Sequence, residues 1–395
     1  MDQTYSPGHM SYELVKADED FLSTTPSDYS ILRRRPETSP YYRTPGPAIS
    51  RFLRRRYSVE PTSSDYLGNG TIPTTVMYKI CSYLNKKDLL HLMSTCKRFR
   101  DIGKDSSFWQ FLNLYGKHIS CSSLHAIIDR KVQVLRLNSA TIYVEVFPPW
   151  HNFPILNPAM LTHLDMSSSK FENPSVLLEI LQRCHNLYAL SLELCGIIDD
   201  QMCKEIAKNT NLYFLNLAMA KSFSAEGIVT ILSSCRKLGE LNIGWTELSG
   251  DVINLTCQLL PPSLKRLSFS GTRDKAEMND DNIKRICDTC KQLEELDLSD
   301  DVVITENCLD HVKNLKNLRI LTISRCYGIE PMAFLSLQNL DIFNVYGCVT
   351  VEGIDVLRSR LRPTRINVSP LSSIAIPTDG ESVTSIWKKR TRDWY

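Results

Sequence analysis

Leucine recurs in this chain with a period that leaves few folds open. From Leu161 onward the segments "LTHLDMSSS", "LYALSLELC", "LYFLNLAMA", "LGELNIGWT", "LKRLSFSGT", "LEELDLSDD", "LRILTISRC" and "LDIFNVYGC" all carry apolar residues at their first, fourth and sixth positions. Successive first leucines lie 26, 25, 26, 26, 29, 25 and 22 residues apart. Inside each segment the alternation is that of a short strand with one buried face. Between segments, stretches such as "NPSVLLEILQRC" (173–184) space their apolar residues for a helix. No single unit of this kind can bury its apolar face alone, so the units must stack.

A period of about 20–29 residues with L-x-x-L-x-L-x-x-N/C is the signature of leucine-rich repeats. Eight clear units, with ragged ones at Val132 and Leu361, predict an α/β solenoid over residues 119–369. Its short parallel strands would line a concave face and its helices the convex side. The cysteines follow the same logic: Cys195, Cys326 and Cys348 fall at the N/C position, where a small polar side chain meets backbone at the turn. The C-x-x-C at Cys287 and Cys290 lacks the second pair that zinc would need.

The acids of "LEELDLSDD" raise the question of a metal or acid/base site. No histidine or cysteine on neighbouring strands completes a ligand set. The plainer expectation puts Glu295, Asp297 and Ser299 on a solvated concave face. Across the outward strand positions of the eight units Arg266 is the only full positive charge, against Asp165, Glu193, Glu240, Glu295 and Asp297. The irregular first unit adds Arg136.

Upstream, "IPTTVMYKICSYLNKKDLLHLMSTCKRFRDIGKDSSFWQFL" begins at Ile72. Its apolar stripes (Val76, Ile80, Leu84; Leu89, Leu92, Met93, Cys96; Phe108, Trp109, Leu112) suit three short helices over residues 66–118. Pro73 fits a first helical turn and Asp88 could cap the second helix. So small a bundle has too few interior positions for these side chains, so some should face a partner.

This block resembles the F-box, the adaptor-binding module of cullin-RING ubiquitin ligases. The resemblance rests on Ile72, Pro73, Ile80, Leu84, "DLL" from Asp88, "CKRF" from Cys96 and "FW" at Phe108 and Trp109. Ile72 stands where leucine is usual, Thr75 where an acid is common, and Phe99 where tryptophan is common. The resemblance implies that Ile72, Pro73, Val76, Ile80, Leu84, Leu89, Leu92 and Trp109 bind a Skp-type adaptor, and through it a cullin/RING ligase.

An F-box followed by leucine-rich repeats is similar to a family of ubiquitin-ligase substrate receptors. "LNIGWT", "FSGTRDK", "LDLSDD", "ISRCYGI" and the tail "INVSPLSSIAIPTDGESVTSIW" (366–387) match the branch that takes cyclin-dependent-kinase inhibitors to ubiquitination. That likeness implies a docking set of Trp245, Arg273, Asp297, Asp300, Arg325, Tyr327 and Trp387. The set would hold a Cks-type accessory subunit and a phosphorylated inhibitor. Residues 370–395 have lost the repeat, yet Ile374, Ile376 and Ile386 are too apolar for a free tail. They should fold back along the concave face or cap the last repeat.

Composition narrows the alternatives. A net charge of +2 gives no global reason for nucleic-acid binding. No run of 18 apolar residues suggests a membrane span, and the polar N-terminus lacks the apolar core of a signal peptide. Thirteen scattered cysteines then read as reduced thiols of the cytosol or nucleus. Residues 1–65, rich in Ser, Thr, Pro and Arg, read as a disordered tail with Ser/Thr-Pro pairs at Ser6, Thr25, Ser39 and Thr44. Arginine triplets at 33–35 and 54–56 suit nuclear import, with some protein in the cytoplasm, or a simply solvated basic tail. No phosphate-binding glycine loop, G-x-S-x-G or H-E-x-x-H is present, so no cofactor or catalytic role is expected. A non-catalytic repeat scaffold with a degenerate F-box stays open beside the receptor reading.

Overall fold

The computed structural model describes residues 72–144, 158–221, 224–272, 277–378 and 385–391. Contacts divide the chain into units Met1–Met77 and Tyr78–Tyr395. The N-terminal tail with its arginine triplets and Ser/Thr-Pro pairs lies outside the described residues, as does Arg273.

The F-box segment opens with α1 (Thr74–Cys81), then α2 (Lys86–Thr95) and α3 (Lys97–Gly103). A 3-10 turn at Ser106–Trp109 replaces the expected third helix, and Leu112 enters strand β1 (Phe111–Asn113). Asn85, not Asp88, caps α2: its side chain accepts from the Asp88 backbone N–H at 2.9 Å. Asparagine in extended geometry satisfies an orphan amide one turn earlier than the acid could.

The repeats supply one parallel sheet of eleven strands. After β1 come β3 (Val134–Arg136), β5 (His163–Asp165), β7 (Ala189–Ser191), β8 (Phe214–Asn216) and β9 (Glu240–Asn242). They are followed by β10 (Arg266–Ser268), β11 (Glu295–Asp297), β12 (Ile320–Thr322), β13 (Ile342–Asn344) and β14 (Arg365–Ile366). Strands β2 (His118–Ser120), β4 (Thr141–Tyr143) and β6 (Lys170–Phe171) form a second, three-stranded sheet. The predicted leucines are the core: Leu164, Leu190, Leu215, Leu241, Leu267, Leu296 and Leu321 are all fully buried. Helices α4 (Cys121–Asp129), α5 (Pro174–Arg183), α6 (Asp200–Ala207), α7 (Ala225–Ser234), α8 (Gly250–Leu259) and α9 (Asp280–Thr289) bury their apolar stripes. The layer thins towards the end: α10 (Asn307–Val312) is short, a 3-10 turn at Pro331–Ser336 follows, and α11 (Val351–Arg360) buries only Leu357.

Two ladders run across the repeats. At the last residue of several strands an Asn or Asp side chain accepts the backbone N–H two residues on. Asp165 does so from Ser167, Asn216 from Ala218, Asn242 from Gly244 and Asp297 from Ser299, each at 3.0 Å. These side chains end the strand and turn the chain. Just beyond, one residue per repeat is left-handed: Ser168, Leu194, Met219, Trp245, Gly271, Asp300, Arg325 and Gly347. Its N–H donates to the next repeat, as from Leu194 to Ala218 O (3.1 Å), Trp245 to Ser270 O (2.7 Å) and Asp300 to Ser324 O (2.8 Å). The fold thereby lines these side chains up in a single row along one rim of the sheet.

Candidate functional site

On the F-box segment the expected adaptor residues fall into two classes. Val76 (46% exposed) and Ile80 (45%) lie four residues apart on α1, and Tyr83 (76%), which the stripe had passed over, follows it. Pro73 is exposed, while Ile72, Leu84 and Leu92 are half-buried. Leu89 and Trp109 differ from the expectation, for both are buried. The Trp109 indole N–H donates to Gly103 O at 2.7 Å, and Arg130 stacks over its ring at 4.6 Å. These two side chains hold the segment together and present no surface to a partner.

Every acid of "LEELDLSDD" has a structural engagement. Glu294 pairs with Lys265 at 3.1 Å. Glu295 takes Arg266, whose other side grips Glu240 at 3.0 Å. Asp297 accepts from both the backbone and the hydroxyl of Ser299. Asp301, fully buried, accepts from the Thr272 hydroxyl at 3.0 Å, and burial holds its carboxyl well above the usual range. The expected solvated patch is therefore corrected: Glu295, Asp297 and Ser299 are buried. Asp297 serves the turn, with burial raising its pKa, and leaves no free surface for docking.

Three of the expected docking residues, Trp245, Asp300 and Arg325, occupy successive or near-successive places in the left-handed row. Trp245 is half exposed and its ring covers Gly271, where an added Cβ would meet the indole at 2.6 Å. Arg325 clasps Asp300, and the charge-assisted bonds raise its already high pKa. Tyr327, 64% exposed, stands beside them near Gly347. Leu194 (50% exposed) and Met219 (40%) continue the row on its other side. Leucine repeats alone did not flag them. Their spacing from Trp245, equal to that of the repeat leucines, could have done so.

Trp387 belongs elsewhere. Its ring packs on His163 (6.3 Å) and Phe214 (6.1 Å), at the opening residues of β5 and β8. That is the end of the strands opposite the rim row, so the expected single cluster resolves into two places. The tail reaches it along the outward face of the strands. Ser373 accepts from Arg266 at 2.9 Å, Ile374 O accepts from Asn242 at 3.2 Å, and the Ala375 N–H donates to Glu240 at 2.9 Å. Ile374 and Ile386, the latter in the hairpin of β15 (Ser385–Ile386) and β16 (Lys389–Arg390), are fully buried.

Five cysteines of the repeats are engaged by hydrogen bonds or by burial. Cys195, Cys326 and Cys348 donate to carbonyls of preceding repeats at 2.8, 3.1 and 3.1 Å. Burial pushes Cys287 and Cys290 up to about 12. Cys121, His125 and Glu179 lie within metal-ligand reach of one another. However, Arg183 donates to His125 Nδ1 at 3.1 Å, leaving Nε2 to donate to Glu179 at 3.3 Å. Neither nitrogen keeps a lone pair for a cation, and burial holds this imidazole neutral.

The comparisons agree with this anatomy. Residues 70–115 match the F-box-like family, and residues 122–394, more than half of the chain, match the SKP2 LRR domain. F-box/LRR-repeat protein 4 of Bos taurus is 28% identical over 235 residues, which cover 58% of this chain and 37% of that protein. The chain thus spans little more than a third of the length of that relative. Among solved structures, the yeast Rad7 and Elc1 complex aligns with 81% of this chain and 94% of the matched chain at 16% identity and a TM-score of 0.42. Internalin C2 of Listeria monocytogenes aligns with 60% and 90% at 17% identity and 0.41. An F-box-like segment followed by an SKP2-type repeat domain makes this chain a member of the F-box/leucine-rich-repeat receptors related to S-phase kinase-associated protein 2.

Proposed function

We propose that this chain is the substrate-recognition subunit of an SCF-type ubiquitin ligase. It would dock a Skp-type adaptor by its F-box and hold a phosphorylated cell-cycle regulator, such as a cyclin-dependent-kinase inhibitor, on its repeats. The observation that carries the reading is the exposed apolar pair Ile80 and Tyr83 on a segment whose own interior is already filled by Leu89, Met93 and Trp109. Members of this family are typically non-catalytic, so the chemistry would occur on a conjugating enzyme elsewhere in the assembly. Co-expression with a Skp-type adaptor tests the docking: the pair should co-purify, and a chain that purifies alone would leave only a repeat scaffold.

Phosphate recognition would need help. Arg266 is clamped between Glu240 and Glu295, and Arg136 lies 3.8 Å from Asp165. Clustered, available arginines are what phosphate sites use. A Cks-type accessory subunit on the rim row at Trp245, Asp300, Arg325 and Tyr327 would bring the missing pocket. Calorimetry with a phosphorylated inhibitor peptide decides it: micromolar or tighter binding to the receptor–adaptor pair alone would refute the need for that subunit. A nuclear location, with some cytoplasmic protein, is part of the proposal. It rests on the arginine triplets, and a fluorescent fusion with all six changed to Ala should lose nuclear enrichment.

A further inference from the structure

The tail is held to the repeats through a short hinge. After β14 the chain turns at left-handed Asn367, and Asn344 Oδ1 accepts from Val368 N–H (2.9 Å) and Ser369 N–H (3.4 Å). The Ser369 hydroxyl then donates to Leu371 O at 2.8 Å and faces Leu371 N–H at 3.4 Å, closing a local turn. Two residues beyond Leu371 begin the contacts that dock the tail: Arg266 donates to Ser373, Asn242 donates to Ile374 O and the Ala375 N–H donates to Glu240. The residue after Ser369 is proline, and this is the one Ser/Thr-Pro pair among the described residues. Val368 is 48% exposed and Leu371 79%, with Ser369 and Pro370 exposed between them. An enzyme cleft therefore has four consecutive accessible residues to grip, outside any helix or ladder.

We infer that Ser369 is a phosphoacceptor for a proline-directed kinase, and that its phosphate loosens the returning tail from the sheet. In the transfer the Ser369 oxygen forms a bond to the γ-phosphorus of ATP as the bond to ADP breaks, and the hydroxyl proton passes to the kinase's base. The product has lost the hydrogen that Ser369 gives to Leu371 O, so the turn loses its donor. It has gained about two negative charges at neutral pH. The outward face that the tail must reach carries Glu193, Glu240, Glu295 and Asp297, and its Arg266 is already held by two of them. Arg365, on β14, is the nearest cation along the chain, and it lies before the hinge, where a bond to phosphate would draw Ser369 back from the docked segment.

The test uses the full chain, a proline-directed serine/threonine kinase and ATP, and needs no adaptor or accessory subunit, so its failure is separable from that of the receptor reading. Peptide mapping should find phosphate on Ser369. Hydrogen exchange at the Ile374, Ala375 and Ile376 amides should then rise about tenfold. Ser369→Ala should take phosphate only at other Ser/Thr-Pro sites, with no kinase-dependent rise in exchange. The inference is overturned if Ser369 stays unmodified while other Ser/Thr-Pro sites of the same chain are modified. It is equally overturned if modified Ser369 leaves exchange unchanged, or if the alanine variant shows the same rise.

Discussion

Arg325 holds Asp300 by two hydrogen bonds of 2.5 Å, from Nε to Oδ1 and from Nη2 to Oδ2. The two residues are 25 apart in sequence yet meet because each occupies the left-handed position of its repeat. Asp300 is thus no free acid waiting for a basic partner. It is half of a neutral, planar pair, and what the rim offers a partner is a guanidinium face beside Tyr327, in the same row as Trp245.

Asp300→Arg places two guanidinium groups where a pair stood. The expected outcome is weaker docking of a Cks-type subunit, with adaptor binding unchanged. The loss of folding stability should be about 1 kcal/mol, since Arg325 is 39% exposed. The double variant Asp300→Arg/Arg325→Asp restores a pair and should recover the stability without recovering the docking. Thermal melts and calorimetry on the single and double variants measure the two effects apart. Docking at wild-type affinity in the single variant would remove the rim from the proposed site.

Gly271→Ala tests the same rim through shape alone. Gly271 has φ +65°, and a Cβ added there would meet the Trp245 indole at 2.6 Å. Alanine there carries about 1–2 kcal/mol of left-handed strain and must displace the ring. Accessory-subunit affinity should fall, while Ser168→Ala, at an equivalent left-handed place far along the row, should leave it unchanged.

The repeat leucines were legible because their period is imposed by stacking, which tolerates little else. Asp297 was misread because sequence shows only an acid at an outward position. Its turn bond to Ser299 and its burial depend on neighbouring strands. The tail was legible as apolar, through Ile374 and Ile386, but its partners Asn242, Glu240 and Arg266 lie over a hundred residues away. Leu89 and Trp109 were assigned to a partner because a stripe of apolar residues does not reveal which of its members face inward.

That division yields a test on the F-box. Val76→Asp and Ile80→Asp change exposed side chains, so the chain should stay folded and lose the adaptor. Leu89→Asp buries a charge at a position 1% exposed, so it should unfold the segment itself. Circular dichroism with adaptor co-purification separates the cases. Retained adaptor binding in Val76→Asp/Ile80→Asp would show that this face is not the docking surface.

The last prediction concerns pH, and rests on two groups of β5 that titrate in opposite senses. Burial raises Asp165 to about 6, with Arg136 working against the rise and Glu193 adding to it. Burial, aided by Lys389, lowers His163 to about 4. A raised acid costs the folded state most when ionised, so the Asp165 contribution improves stability as pH falls through 6 towards 4. A lowered histidine acts the other way: its contribution is complete above about 6.5 and is lost as pH falls towards 4. In the wild type the two partly cancel. Asp165→Asn keeps an oxygen for the Ser167 donors and removes both the titration and the charge facing Arg136; the lost charge lowers stability at high pH, and the titration alone sets the change between pH 6 and 4. Whatever the constant offset from the lost Arg136 pair, the variant's stability relative to wild type should decline between pH 6 and 4, leaving a steeper acid loss. Denaturant midpoints for both proteins across that range measure it, and parallel curves would show that Asp165 does not titrate there.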